Sequence, residues 1–406
     1  MASVEETAGA LAPPLGLAER AKRVFFRSFF RLLVAFIALA EWACVAWVLF
    51  VSGIRTPRAL HVLAPLAIYA LNRWIITRPR RARPVLDAAL RVYVPVAFSS
   101  IFMALFLAFA GLAWGLAAPV SGPRLAHAYY WLVNAGFATV GGLLFYGYSF
   151  GRRALGVSHL EVPVRGLPRA LDGLRVVHLS DLHIGQHLGL AELAEHVARV
   201  NALAPDVICL TGDLVDRPET CAQAFPTLAG LGARHGVFVT LGNHDVYAGA
   251  EIVTAALRRL TPFRVLRDER CDLEIDGELL TLLGIDDLGR DWARGVLEHP
   301  ALPPLAAGIG EARPFIVLSH RPDCFPQAAR LGAALMLSGH THGGQLALPW
   351  PAHRPRNLAR FISAFDRGLY REGDATLYVN RGLGFTGQKI RLFTPREIAC
   401  LTLRAR

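Results

Sequence analysis

The chain has 406 residues, of which 53% are hydrophobic and only 18% charged, against about a quarter charged in ordinary soluble domains. Its net charge of +11 is confined to the first 156 residues, which hold 16 Lys/Arg and 5 Asp/Glu, while the rest hold 27 of each. That distribution marks membrane flanks and excludes a basic nucleic-acid face; six scattered cysteines without a CxxC pair exclude a disulfide framework.

In chain order, residues 1–19 are rich in Ala, Pro and Gly and are expected to be poorly ordered. Up to residue 31 a basic, aromatic membrane-surface lead-in follows, with Arg20, Lys22, Arg23, Arg27 and Arg31 among Phe25, Phe26, Phe29 and Phe30. The apolar runs at 32–51, 59–76, 92–116 and 128–150 have lengths suited to crossing a bilayer as helices, so 32–151 reads as an all-α bundle of four spans. The second is weakest, because His61, Asn72 and Arg73 interrupt it. Glu41 lies mid-span, where an acid must face a partner or water; a Glu paired between helices is favoured over a transport role. Gly136, Gly141 and Gly142 in the fourth run permit close helix approach. Arginines crowd before the first span, between the second and third, and after the fourth. The positive-inside rule then puts both termini, and the domain that follows, in the cytoplasm.

From about residue 157 to 406 the texture becomes that of an α/β domain. Apolar stretches at 174–179, 207–211, 237–241, 315–318, 334–337 and 377–380 read as buried strands, and 190–203 has helical spacing. Segments 273–275 and 279–285 flank Asp276-Gly277 as a hairpin, and 398–403 is a last strand. Strands alternating with helices predict a mostly parallel sheet.

The polar residues of interest follow these strands directly. RVVHLSDLHIG supplies Asp181 and His183, DVICLTGDLVD supplies Asp213, and VFVTLGNHDVY supplies Asn243, His244 and Asp245; FIVLSH supplies His320 and LMLSGHTHGGQ supplies His340 and His342. Ligands of open α/β sheets bind at the carboxyl ends of strands. Any one motif has a bland reading as a turn or cap. Together, two Asp, four His and one Asn exceed the three or four ligands of a single zinc. They suit a pair of divalent cations, Mn, Fe or Zn, sharing one carboxylate. Such pairs activate water and clamp both oxygens of an in-line displacement.

The series DLH, GD, GNHD, SH and GHTH resembles the calcineurin-like metallophosphoesterase superfamily over roughly residues 157–406. SDLHIG, GHTHGGQ and the NRGLG of 380–384 are most like the branch with N-terminal membrane helices. The resemblance implies a β-sandwich of two mixed sheets flanked by helices. It also implies Asp181, His183 and His342 on one metal, Asn243, His320 and His340 on a second, and Asp213 between them. His244 would then serve the transition state or leaving oxygen, with Asp245 orienting it. Arg321 and Gln345 are weaker substrate-binding candidates, and Asp286 and Asp287 could support the ligands from behind.

What such a protein acts on is open to analogy only. A membrane anchor favours a phosphodiester or pyrophosphate of a lipid-linked substrate, such as the UDP-diacylglucosamine of lipid A synthesis, at a bacterial inner or plasma membrane. The rival reading is a metal-binding regulatory domain, with little turnover, on a small transporter-like bundle.

Overall fold

A computed structural model describes residues 17–77, 84–185, 187–289, 297–310, 313–347, 357–361 and 363–406. The chain divides into two compact units, Met1–Leu143 and Leu144–Arg406. The start of the expected lead-in, residues 1–16, lies outside the described residues.

The first unit holds helices α1 (Leu17–Val51), α2 (Leu60–Thr77), α3 (Pro84–Ala117) and most of α4 (Pro123–Ser149). Helix α1 starts at Leu17, so the basic stretch expected to be a separate lead-in continues helically into the first apolar run. All four helices are long and apolar enough to cross a membrane, over Phe30–Val51, Leu60–Thr77, Val85–Val120 and Pro123–Arg153. Glu41 is buried and accepts a 2.7 Å hydrogen bond from Asn72 Nδ2, while Tyr93 donates to Asn72 Oδ1 at 2.9 Å. Three helices thus share one polar clasp, and the acid and the Asn that weakened the hydropathy pattern satisfy each other. A Cβ on Gly136 would stand 2.3 Å from the Phe106 ring, so this glycine lets α3 and α4 approach.

The second unit is a sandwich of two mixed six-stranded sheets. Its strands are β1 (Leu155–Val164), β2 (Arg175–Leu179), β3 (Val207–Thr211), β4 (Val237–Thr240), β5 (Arg264–Val265), β6 (Glu269–Ile275), β7 (Glu278–Gly284), β8 (Phe315–Leu318), β9 (Leu335–Ser338), β10 (Gly368–Glu372), β11 (Ala375–Val379) and β12 (Arg396–Ala405). One sheet has the order β1-β12-β2-β3-β4-β5 and the other β10-β11-β9-β8-β7-β6. The strands from β2 to β5 run parallel, as do β7, β8, β9 and β11. The Asp276-Gly277 hairpin forms as expected, both residues taking the positive φ (50° and 81°) that such a two-residue turn needs.

Burial on both faces explains the unbroken apolar strands. Val176, Val207 and Phe238 meet Leu282, Ile316 and Leu335 between the sheets. On the outer face of the first sheet, Val177, Ile208 and Leu210 pack under α5 (Leu190–Ala202), α6 (Cys221–Leu228) and α7 (Asn243–Leu260). On the other side, Leu283, Val317 and Met336 pack under α8 (Leu302–Ala306) and α9 (Phe325–Arg330). The carboxyl ends of β2, β3, β4, β8 and β9 consequently open onto one edge of the sandwich.

Candidate metal centre

All seven residues that the motifs singled out as ligands meet at this edge. Asp181, His183 and His342 form one buried group, and Asp213, His320 and the half-buried His340 another, each with its ligand atoms within 4.8 Å of one another; Asn243 opens α7 beside them. A third combination, His183, Asp213 and His244, satisfies the same distance. Asp213 Oδ2 stands between the first two groups, 3.6 Å from His183 Nε2 and 3.3 Å from His320 Nε2. Its other oxygen accepts the backbone N–H of His244 at 2.8 Å, so the N-terminus of α7 fixes this carboxylate.

The backbone is bent to make this convergence. Asp181, His183, Asp213, His340 and His342 all take positive φ, between 47° and 70°, a region that non-glycine residues enter at a cost. Glycines clear the space behind them. A Cβ on Gly242 would fall 2.2 Å from Asp213 Oδ1, and one on Gly339 would fall 2.2 Å from Asp181 Oδ2. The NRGLG segment explains itself here: the N–H groups of Leu383 and Gly384 donate to the carbonyls of Ser180 and Asp181, and Asn380 Nδ2 donates to His178 O. It is a brace for the loop after β2.

The hydrogen-bond partners of the rings suit a cation. His183 Nδ1–H donates to Asp216 Oδ1 at 2.8 Å, and His320 Nδ1–H donates to the Thr211 carbonyl at 2.8 Å. In the neutral rings both Nε2 lone pairs therefore point at Asp213 Oδ2, acceptor toward acceptor, in a buried place. Something positive belongs between them. The same pull acts on a proton: burial opposes a charge on His320, yet Asp213 and Asp181 push it up to about 10. Burial likewise works against the Asp213 carboxylate, but His320 and His183 hold it well below the usual range. Asn243 Oδ1 is buried with no hydrogen-bond partner, as a ligand oxygen would be.

Several sequence expectations need correcting. Asp245 does not orient His244: its carboxylate accepts the backbone N–H groups of Gly242, Leu214 and Val215, capping α7 and bracing the Asp213 loop. The residue that reaches His244 is Asp216, whose Oδ1 accepts from His244 Nδ1 at 2.7 Å and is the same atom that holds His183. Arg321 is not turned to a substrate phosphate. Its Nε donates to the buried Asp287 at 2.6 Å and its Nη1 to His340 Nε2 at 2.8 Å. Asp287 thus supports a candidate ligand through Arg321, whereas Asp286 pairs with Arg267 at 2.7 Å. Gln345 spends both ends of its amide on Thr386, donating to its carbonyl and accepting its N–H, which ties the GHTHGGQ loop to residue 386.

Two residues were missed. Asp216 stands in the quoted GDLVD, three positions past Asp213, and only its proximity to two histidines reveals it. Arg391 is 1% exposed and donates to the carbonyls of His342 (2.8 Å), Gly384 (2.8 Å) and Gly382 (3.3 Å). Burial lowers it to about 9, partly offset by the Asp181 carboxylate. A lone Arg far from any motif gives no sign in the sequence of holding the backbone behind a ligand.

Comparison with known proteins agrees with the geometry. Residues 174–344 match the family model of the calcineurin-like phosphoesterases. An uncharacterized metallophosphoesterase of Bacillus subtilis, YkuE, is 30% identical over 279 residues, covering 67% of this chain and 93% of that protein. The Danio rerio transmembrane protein with metallophosphoesterase domain is 34% identical over 261 residues, covering 61% of this chain but only 57% of its own length. The UDP-2,3-diacylglucosamine pyrophosphatase LpxG of Chlamydia muridarum is 28% identical, covering 57% of this chain and 84% of its own. With four N-terminal apolar helices joined to this sandwich, the chain belongs to the calcineurin-like metallophosphoesterases, a family of metal-dependent phosphoester hydrolases, in the branch that carries membrane helices.

Proposed function

We propose that this protein is a membrane-anchored hydrolase that cleaves a phosphodiester or pyrophosphate with two divalent cations. Residues 157–406 act as the catalytic domain on the cytoplasmic side, and 32–151 act as the anchor. Asp181, His183 and His342 would hold one cation, Asn243, His320 and His340 the other, and Asp213 both. The observation that carries the reading is Asp213 Oδ2, faced by one histidine lone pair from each group. When bound, the cations supply an activated water and offset charge growing on the phosphoryl oxygens.

The chain's own residues supply the rest. Burial disfavours the charged form of His244, but the Asp216 bond outweighs it and raises the imidazole above its ordinary pKa. With Nδ1–H committed to Asp216, the protonated ring presents Nε2–H outward; its side chain is 35% exposed, so a leaving oxygen can reach it. As the P–O bond breaks, that proton passes to the departing oxygen and leaves His244 neutral. Tyr247, exposed and with its ring 6.1 Å from that of His244, offers a face to whatever the leaving group carries.

For substrate, the anchor and the name of the chlamydial relative support a nucleotide-linked lipid such as UDP-diacylglucosamine. The regulatory-domain alternative gains nothing from Glu41, which is paired within the bundle. The test is hydrolysis by the full chain in detergent, with and without Mn²⁺. The panel holds nitrophenyl mono- and diesters and nucleotide-diphosphate lipids. Diester or pyrophosphate turnover should need the cation and fall in His244→Ala. Turnover that survives exhaustive chelation would sink the reading.

A further inference from the structure

A second polar cavity lies away from the ligand set, at the open end of the sandwich where the terminal strands β1 and β10 face each other. It encloses about 350 Å³, the size of a small-ligand site. Ser158, Tyr378 and Glu397 line it with Arg367 and Arg381, and Leu160 and Leu369 add apolar wall.

Charge there is unbalanced. Among the described residues Glu397 is the only carboxylate in the lining, and it is spent: it accepts from Ser158 Oγ, from Tyr378 OH at 2.8 Å, and from the side chain and backbone N–H of Arg381 at 2.7 and 3.0 Å. Asp366, next in sequence to Arg367, accepts from Tyr370 OH and Asn357 Nδ2. Arg367 is half-buried, and its guanidinium has no hydrogen-bond or ion-pair partner among the described residues; Arg381 Nε is buried and also unpartnered. Burial, and the like charge of Arg381 after the help of Asp366, lower the pKa of Arg367. Two guanidinium groups, drawn together in a partly dry cleft around a saturated carboxylate, call for an outside anion.

We propose that this cleft binds a phosphate-type anion between Arg367 and Arg381. Planar guanidinium forks match phosphate oxygens, whereas the Ser158 hydroxyl is committed, donating to Glu397 and accepting from Arg381 Nη2 at 3.1 Å. The site touches the ligand loops from behind. A Cβ on Gly343, in GHTHGG, would stand 3.1 Å from Arg381 Cγ and 3.4 Å from Arg367 Cδ. Gly382, next to Arg381, is so close to Asp181 and His342 that a Cβ would fall 2.8 Å from Asp181 Cβ and 3.2 Å from His342 Nδ1. An anion held by these arginines would therefore stiffen the loop carrying His342. It could be released phosphate or the phosphate of a lipid headgroup, and the chemistry of recognition is the same.

The test is equilibrium dialysis of the full chain in detergent against radiolabelled inorganic phosphate, with and without EDTA. Phosphate bound at the metal centre should leave with the cations, and phosphate in the cleft should stay. The expected result is a single EDTA-resistant phosphate per chain. Arg367→Ala should weaken it about tenfold or more, the loss of one charge-assisted contact, and Arg367→Lys should recover part of it. Because the Arg367 guanidinium has no hydrogen-bond or ion-pair partner among the described residues, its removal breaks no polar contact there, and Arg367→Lys keeps most of the aliphatic packing. Displacement by phosphatidic acid but not phosphatidylcholine in mixed micelles assigns the anion to a lipid headgroup, and displacement by neither assigns it to free phosphate. Absence of EDTA-resistant phosphate, or unchanged affinity in Arg367→Ala, overturns the proposal. Either result leaves the metal centre standing, since that reading rests on the EDTA-sensitive turnover.

Discussion

In the half of the centre built from Asp181, His183 and His342, the ring of His183 is steered by a carboxylate, Asp216. In the half built from Asn243, His320 and His340, His320 is steered by the neutral carbonyl of Thr211, and His340 receives a hydrogen bond from the Arg321 cation. The difference is one of charge and of proton position. A negative neighbour makes His183 a better donor to a cation. The N–H from Arg321 occupies His340 Nε2, and to offer Nδ1 to a cation the neutral ring must take its Nε2–H form and give up that bond. Two halves with similar residues are thus prepared unequally. The first half should load tightly, and the second should be the one whose occupancy depends on metal supply.

The largest effect should come from the residue the halves share. Asp213→Asn keeps the shape but removes the charge that both Nε2 lone pairs face, so kcat should fall about 10³-fold. Metal analysis of the purified chain should show both halves depleted. Retention of one full equivalent of tightly held cation would show that Asp213 serves one half only. Next, Arg321→Met strips the buried Asp287 of its partner. Leaving a buried charge alone costs about 3 kcal/mol, which thermal unfolding with and without metal would register. An Arg321 that served substrate alone would leave the unfolding temperature nearly unchanged and raise KM instead.

The ligand set was readable because its residues follow strands whose apolar runs are themselves plain, as in VICLTGD and LMLSGHTH. Strand ends fix positions, and the motif spacing fixes which residues stand there. The two-sheet architecture rested on family resemblance, since β2, β3, β8 and β9 are all buried on both faces and periodicity cannot assign them to separate sheets. Strands β1 and β10 went unread because their partly exposed edge positions and mixed polarity lack that signature. What the sequence could not give was the direction of the supporting groups. Asp245 adjoins His244 in the chain, but at the third position of α7 its carboxylate turns back to the helix start. Adjacent helical residues point away from one another, so a neighbour in sequence is a poor candidate for an orienting partner. Asp216, Asp287 and Arg391 act across loops, where only the folded chain sets distance.

The smallest and most discriminating effect concerns Asp216, because one of its oxygens serves both a candidate ligand and the candidate acid. Asp216→Asn keeps an acceptor of the same shape and removes the charge. Affinity for the first cation should fall about 10–100-fold, the usual loss when an orienting carboxylate behind a histidine ligand is neutralised, while the second half should change little. His244 should respond separately. Its pKa is held up by the Asp216 bond against the opposing effect of burial, so the protonated acid persists to higher pH in the native chain than it would without that bond. Removing the charge lowers that pKa, and at saturating metal the alkaline limb of the rate profile should move toward acid. Calorimetric metal titration and a pH profile of kcat read the two consequences independently. A profile that stays in place while the first cation weakens would confine Asp216 to His183, and the unequal halves would then differ in metal affinity alone.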